Sequence, residues 1–197
     1  MNNDITTAET FLERLRTKTS VAHTNLEKLP VSESIMDPEV TASQYLYYLN
    51  LMHDVVKQAE EDIFPALSPI MPDIAERNKA SLIESDFSAL GYAKMQHQKP
   101  FKNIETMSPA FRMGILYVIE GSSLGGRVIL KNINSALGLT EDNGATYFAG
   151  YGNKTGSKWK SFLNALTAYQ EEHNNEDEII AGAEYAFNII NRHFTQN

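Results

Sequence analysis

Two groups of residues in this chain have types and spacings that could do chemistry. The first centres on His23, with Glu27 four residues on and Arg16 seven residues back. At about 100° per residue on a helix, His23 falls roughly 20° from Leu12, so it is expected to point inward with the stripe Leu12, Leu15, Ala22, Leu26, Leu29. Arg16 lies two turns back on the same side. A carboxylate one turn on can accept a hydrogen bond from Nδ1–H, fix the tautomer and leave Nε2 to bind a metal. The plain alternative is a buried histidine satisfied by its own helix. The second group is the stretch Phe111 to Leu130, FRMGILYVIEGSSLGGRVIL. Phe111, Ile115, Leu116, Val118 and Ile119 have helical spacing, yet Gly121, Gly125 and Gly126 follow where the helix should continue. Each interior glycine costs a helix about 1 kcal/mol against alanine. Conflicts of that kind tend to sit at functional or strained sites. Gly121 and Gly125 share one face, which carries no side chains. Another helix could lie against it, which is the plain reading. So could a flat ligand.

The remaining histidines, His53, His97, His173 and His193, make no close pair in sequence and no H-x-x-x-H or H-E-x-x-H spacing. A site with one histidine takes the rest of its coordination from a cofactor. Haem on a proximal histidine, with the other axial position open, is the obvious one. His23 would supply the ligand, and the bare Gly121/Gly125 face would leave room on the opposite side. The chain has no cysteine. That removes disulfides, thiolate metal sites, Fe–S clusters and a cysteine nucleophile. The net charge of −8 argues against nucleic acid. No apolar run approaches the ~20 residues of a membrane span. The start, MNNDITTAETF, has neither the basic nor the apolar region of a signal peptide. Cytoplasm is the expected compartment, with no membrane partner.

The elements that must position these residues read as helices almost throughout. Thr6 or Thr7 caps a first helix running to about Lys28, before Pro30. Pro38 and Thr41 open a second long segment that ends at Pro65. A shorter helix runs from about Ile74 to Leu90 and stops at Gly91. Ser108 as cap and Pro109 at the first position start the glycine-bearing helix, which continues to about Leu137 before Gly138. Thr140 to Ser157, with four glycines, reads as a long loop. Two helices close the chain, about Ser157 to His173 and Glu176 to Phe194. No alternating strand of convincing length occurs. The expectation is one all-α domain over residues 1–197, a bundle of seven to nine helices. The 42% hydrophobic and 21% charged content is enough for a core with a cavity in it.

Three segments make the chain resemble the haem oxygenases, in particular the bacterial biliverdin-forming ones often found beside bacteriophytochromes. LRTKTSVAHTNLE, Leu15 to Glu27, is similar to the family's proximal helix. LYVIEGSSLGGRVI, Leu116 to Ile129, resembles its distal helix and is the most specific of the three. AEYAFNIINRHF resembles its closing helix more distantly. The resemblance implies that His23 is the proximal iron ligand and Glu27 the acceptor behind it. It implies that Gly121 and Gly125 let the distal helix pass close over the iron, with Gly126 serving the same kink. Arg16 would meet a haem propionate; Lys160 and Tyr117 are further pocket candidates. Animal members carry an aspartate after the first distal glycine, where it orders water for proton delivery. This chain has Ser122 there, as bacterial relatives also lack that aspartate. Ordered water held by Ser122, Ser123 or backbone would substitute. The implied reaction opens haem at a meso carbon with O₂ and reducing equivalents, giving biliverdin, Fe²⁺ and CO. The chain has no G-x-G-x-x-G, so electrons would come from a separate reductase or ferredoxin. A bacteriophytochrome is a possible acceptor of the bilin. Three other readings stand beside this one. The first is a haem or bilin carrier or sensor on the same scaffold. The second is a thiamin-degrading enzyme of the same fold, disfavoured by the missing cysteine. The third is a helical adaptor whose glycine face packs on a partner.

Overall fold

A computed structural model of the chain describes residues 9–94 and 96–196. The first helix, α1 (Phe11–Glu27), starts at a capping box. The Thr10 hydroxyl accepts from the Glu13 amide (3.3 Å), and the Glu13 carboxylate accepts from the Thr10 amide (2.7 Å). The caps expected at Thr6 or Thr7 lie outside the described residues. A short α2 (Pro30–Ser34) leads to α3 (Ala42–Gln58), which opens on a second capping box, Thr41 with Gln44. The helical path does not stop at Pro65 as expected. It widens into a π turn at Ala59–Ile63 and continues as α4 (Phe64–Leu67). Pro65 then sits in a first turn, where its missing N–H costs nothing.

The helix expected from Ile74 is split. Ile74–Arg77 is a 3₁₀ turn, and α5 (Ala80–Ala89) starts anew because the Glu60 carboxylate accepts from the amides of Lys79 (2.5 Å) and Ala80 (2.8 Å). Gly91 in the left-handed region (φ +65°) ends it. Ser108 and Pro109 start α6 (Pro109–Gly121) as expected, with the serine hydroxyl accepting from the Phe111 amide (3.2 Å). The expected single helix to Leu137 is two helices. A 3₁₀ turn at Ser122–Leu124 separates α6 from α7 (Gly126–Leu137), and the axes differ by 45°. The long glycine-rich loop contains a short α8 (Thr146–Ala149). The closing pair is α9 (Thr155–His173) and α10 (Glu176–Gln196).

The all-α class holds. Seven of these helices run to ten residues or more, and among the described residues there is no β-strand. No single helix among them is long and apolar enough to cross a membrane. The core runs along α6, where Met113, Ile115 and Leu116 have no exposed surface. Against it lies α10. This pair approaches backbone to backbone at two glycines. A Cβ on Gly114 would overlap the carbonyl oxygen of Ile179, and one on Gly182 would overlap that of Phe111. α1 also packs on α10. Arg14 clasps Glu176 there, with Nη2 to Oε2 at 2.5 Å.

Candidate functional site

The flank of α1 that carries Arg16, His23 and Glu27 is exposed, not buried. His23 has 58% of its side chain exposed, against the inward placement expected. The buried residues of α1 are Phe11, Leu15 and Thr19. On a helical wheel their mean direction is about 80° from His23. Leu12, used as the reference at the sequence level, is itself only half-buried at the edge of the stripe. The i,i+4 contact is present: His23 Nδ1 lies 3.5 Å from Glu27 Oε2. The imidazole is braced from behind by the edge of Phe187 on α10, with ring centroids 5.8 Å apart. A braced ring with Nδ1 turned to a carboxylate presents Nε2 outward, the arrangement a metal-ligating histidine needs.

Tyr117 on α6 borders the same flank. Burial pushes its hydroxyl pKa up, while the charge of Arg16 and a hydrogen bond with Thr19 hold it back. The Tyr117 hydroxyl thus lies within electrostatic reach of Arg16. Gly121 is one turn beyond Tyr117, and the indole of Trp159 from α9 covers both. Its ring lies 5.5 Å from that of Tyr117 and would stand 3.6 Å from a Cβ on Gly121. Lys160 is exposed on the following residue of α9.

The three glycines do not do the same job. A Cβ on Gly125 would meet only the Ser122 carbonyl of its own turn, at 4.0 Å. The helix-packing reading therefore fails at Gly125 but holds in part at Gly121, where the Trp159 side chain of α9 lies against the backbone. Gly126 points the other way and is buried. A Cβ on it would come 2.7 Å from the carbonyl oxygen of Phe148, so α7 needs this glycine to rest on α8. Leu124 and Val128 flank Gly125 one turn apart and are 49% and 59% exposed. The open glycine thus sits within an apolar rim.

Ser122 is already engaged. Its hydroxyl donates to the Ile119 carbonyl (2.7 Å) and shares a hydrogen bond with Tyr147, whose own hydroxyl burial keeps protonated. Ser123 accepts from Lys79 Nζ at 2.7 Å, which leaves its own hydrogen to give. Lys79 belongs to a buried cluster behind the break between α6 and α7. Glu120, 1% exposed, binds Lys79 Nζ (3.0 Å), Arg77 Nη1 (2.5 Å) and the Tyr151 hydroxyl (2.8 Å). Arg77 reaches on to Asp73 (3.0 Å). Every charge here is paired, as burial demands. The cluster holds the residue next to Gly121 from three elements at once. Reading the sequence missed it, because its partners are some forty residues apart and follow no period. A weak signal was present: Glu120 falls inside an otherwise apolar run.

Reading the sequence also missed the convergence of the other histidines. His53, His97 and His193 all lie around the buried Asp54.

The chain is similar to known proteins along nearly its whole length. Residues 9–196 match the family model described as heme oxygenase. Heme oxygenase PigA of Pseudomonas aeruginosa is 30% identical over 183 residues, which is 89% of this chain and 87% of that one. The NO- and CO-bound heme oxygenase of Neisseria meningitidis superposes with a TM-score of 0.77 at 26% identity, covering 95% of this chain and 92% of that one. Heme oxygenase of Leptospira interrogans shares the fold, with a TM-score of 0.80 at 19% identity over 95% and 99% of the two chains.

Proposed function

The chain belongs to the haem oxygenase family, and from that premise we propose that it cleaves haem to biliverdin, Fe²⁺ and CO, using O₂ and electrons from a separate reductase or ferredoxin. One observation carries the reading: an exposed, braced imidazole on α1 shares the molecule with a distal backbone left open at Gly125. Haem is both substrate and cofactor, and when bound it supplies the iron at which O₂ is activated. His23 Nε2 would hold that iron, and Glu27 would fix the tautomer by accepting a hydrogen bond from Nδ1–H. Arg16 and Tyr117, within electrostatic reach of one another, would meet a propionate with a charge and a hydroxyl. Gly125 would leave space on the distal side, and Gly121 lets the Trp159 indole pack close to the backbone as its wall. The engaged hydroxyl of Ser122 fixes the turn, and Ser123, which accepts from Lys79, keeps a hydrogen to give to a ligand bound beside it. Gly126 and the exposed Lys160 stand at the margin of this arrangement. The bilin leaves for an acceptor such as a bacteriophytochrome.

The test is a hemin titration followed by reductant. Wild type should bind one hemin and lose its Soret band as bilin absorption grows and CO is released. His23→Ala should keep some hemin in the apolar cleft, form no bilin, and regain the ligand with added imidazole. Normal turnover by His23→Ala without imidazole would refute the ligand assignment. A stable Soret band in reduced, oxygenated wild type would favour the carrier reading. Failure to bind hemin would favour the adaptor.

A further inference from the structure

The haem reading leaves unused the histidines of α3 and of the segment that joins α5 to α6. His53 is nearly buried, with its ring T-shaped against that of His97 and centroids 5.7 Å apart. One ligand atom from each of His53, Asp54 and His97 lies within 4.8 Å of the others. Each histidine has one nitrogen on a carboxylate. His53 Nε2 is 3.1 Å from Glu84, and His97 Nδ1 is 3.1 Å from Asp54. The other nitrogens, His53 Nδ1 and His97 Nε2, are buried without a hydrogen-bond partner among the described residues. His53, with Glu84 behind Nε2 and nothing on Nδ1, has the arrangement of a metal-ligating histidine with its tautomer set. His97 would use Nδ1, which already faces Asp54, so the metal would take the place of that hydrogen bond.

We propose that His53, His97 and Asp54 form a binding site for one divalent transition metal of the Zn²⁺ class, separate from the haem cleft. Two imidazoles and one carboxylate make a borderline donor set that suits Zn²⁺ or Co²⁺ rather than Mg²⁺ or Ca²⁺. Three protein ligands leave a fourth position for water. Ligand atoms of a tetrahedral zinc site stand about 3.3 Å apart at bond lengths near 2.0 Å, so the widest separation in this cluster must close by up to about 1.5 Å. His97 lies in a connection without helix, which can make that movement. The metal would pin this connection to α3. Lys94 is the competitor. Its ammonium lies 2.8 Å from Asp54, where the Gln98 amide (2.7 Å) and His193 (3.2 Å) also bind. Metal and Lys94 cannot both neutralise that carboxylate fully, so occupancy should loosen Lys94.

The test uses the full chain, stripped with chelator and checked for folding by circular dichroism. Co²⁺ is added and its visible d–d bands are followed, then Zn²⁺ is added to displace it. One equivalent of Co²⁺ should bind with tetrahedral-type absorption. Binding should weaken at least a hundredfold in His53→Gln and in His97→Gln, and tighten in Lys94→Met. His23→Ala is the control, because the exposed His23–Glu27 pair is another place where Zn²⁺ could lodge. It should bind Co²⁺ as wild type does. Folded wild type that takes up no Co²⁺ overturns the proposal. So does binding that survives His97→Gln, or binding lost in His23→Ala. If His53→Gln fails to fold, the more exposed His97→Gln decides.

Discussion

Gly125 and Gly114 are the same amino acid under opposite demands. Gly125 has ordinary helical angles (φ −80°, ψ −14°) and open space beyond its Cα. Alanine there should leave the haem-free protein as stable or more stable, by up to about 1 kcal/mol. The same methyl would stand in the distal space, so bilin formation should be lost. Gly114→Ala should do the reverse. Its Cβ would overlap the Ile179 carbonyl and force α6 from α10, at a cost of about 1–3 kcal/mol or more, while protein that remains folded should still turn over haem. Urea denaturation beside bilin formation in both variants reads the two effects. A destabilised Gly125→Ala that keeps turnover would show the distal glycines to be packing residues. The importance of glycine near 121–126 was legible in the sequence, because three helix breakers in six residues conflict with their neighbours. Which glycines pack was not legible. Gly114 and Gly182 are single glycines in helical patterns, and only the path of the opposing backbone shows that they meet it.

At the scale of elements, α1 presents His23, and its position depends on how it is tied to α10. The Arg14–Glu176 clasp is one tie. The hydrogen bond from Arg14 holds the Glu176 carboxyl below its usual range, against a smaller effect of burial. A depressed carboxyl pKa contributes stability that is present above the unfolded value, near 4.3, and is lost as pH falls below it. The melting temperature of the haem-free protein should therefore fall as pH drops from about 5 towards 3. It should fall less steeply in Arg14→Leu, where Glu176 returns to ordinary behaviour. Equal slopes in the two proteins would mean that the clasp contributes nothing. The helices themselves were legible from apolar period and from caps at Thr41, Ser108, Gly91 and Gly138. The break at Ser122–Leu124 was visible only as an anomaly. Its cause is partly local: the Ser122 hydroxyl bonds back to the carbonyl of Ile119, a contact that bends helices.

For the whole molecule, class and segment order followed from sequence because nearly every segment keeps one period. The candidate site was legible where spacing is local, as in the His23–Glu27 contact and the shared flank with Arg16. It was illegible where distant segments converge, as in Glu120 with Arg77 and Lys79, or Asp54 with His97 and His193. The inward direction of His23 was misjudged because its stripe was referenced to Leu12 at the edge. The exposure of Leu124 and Val128 beside Gly125 has a calorimetric consequence. A flat hydrophobic macrocycle that covers that apolar rim would remove its surface from water. Hemin association should then show a negative heat-capacity change, with the binding enthalpy growing more exothermic as temperature rises. Leu124→Ser with Val128→Ser should make that slope shallower without moving the iron ligand. Titration calorimetry at several temperatures measures it, and a slope unchanged by both serines would place the macrocycle away from this rim.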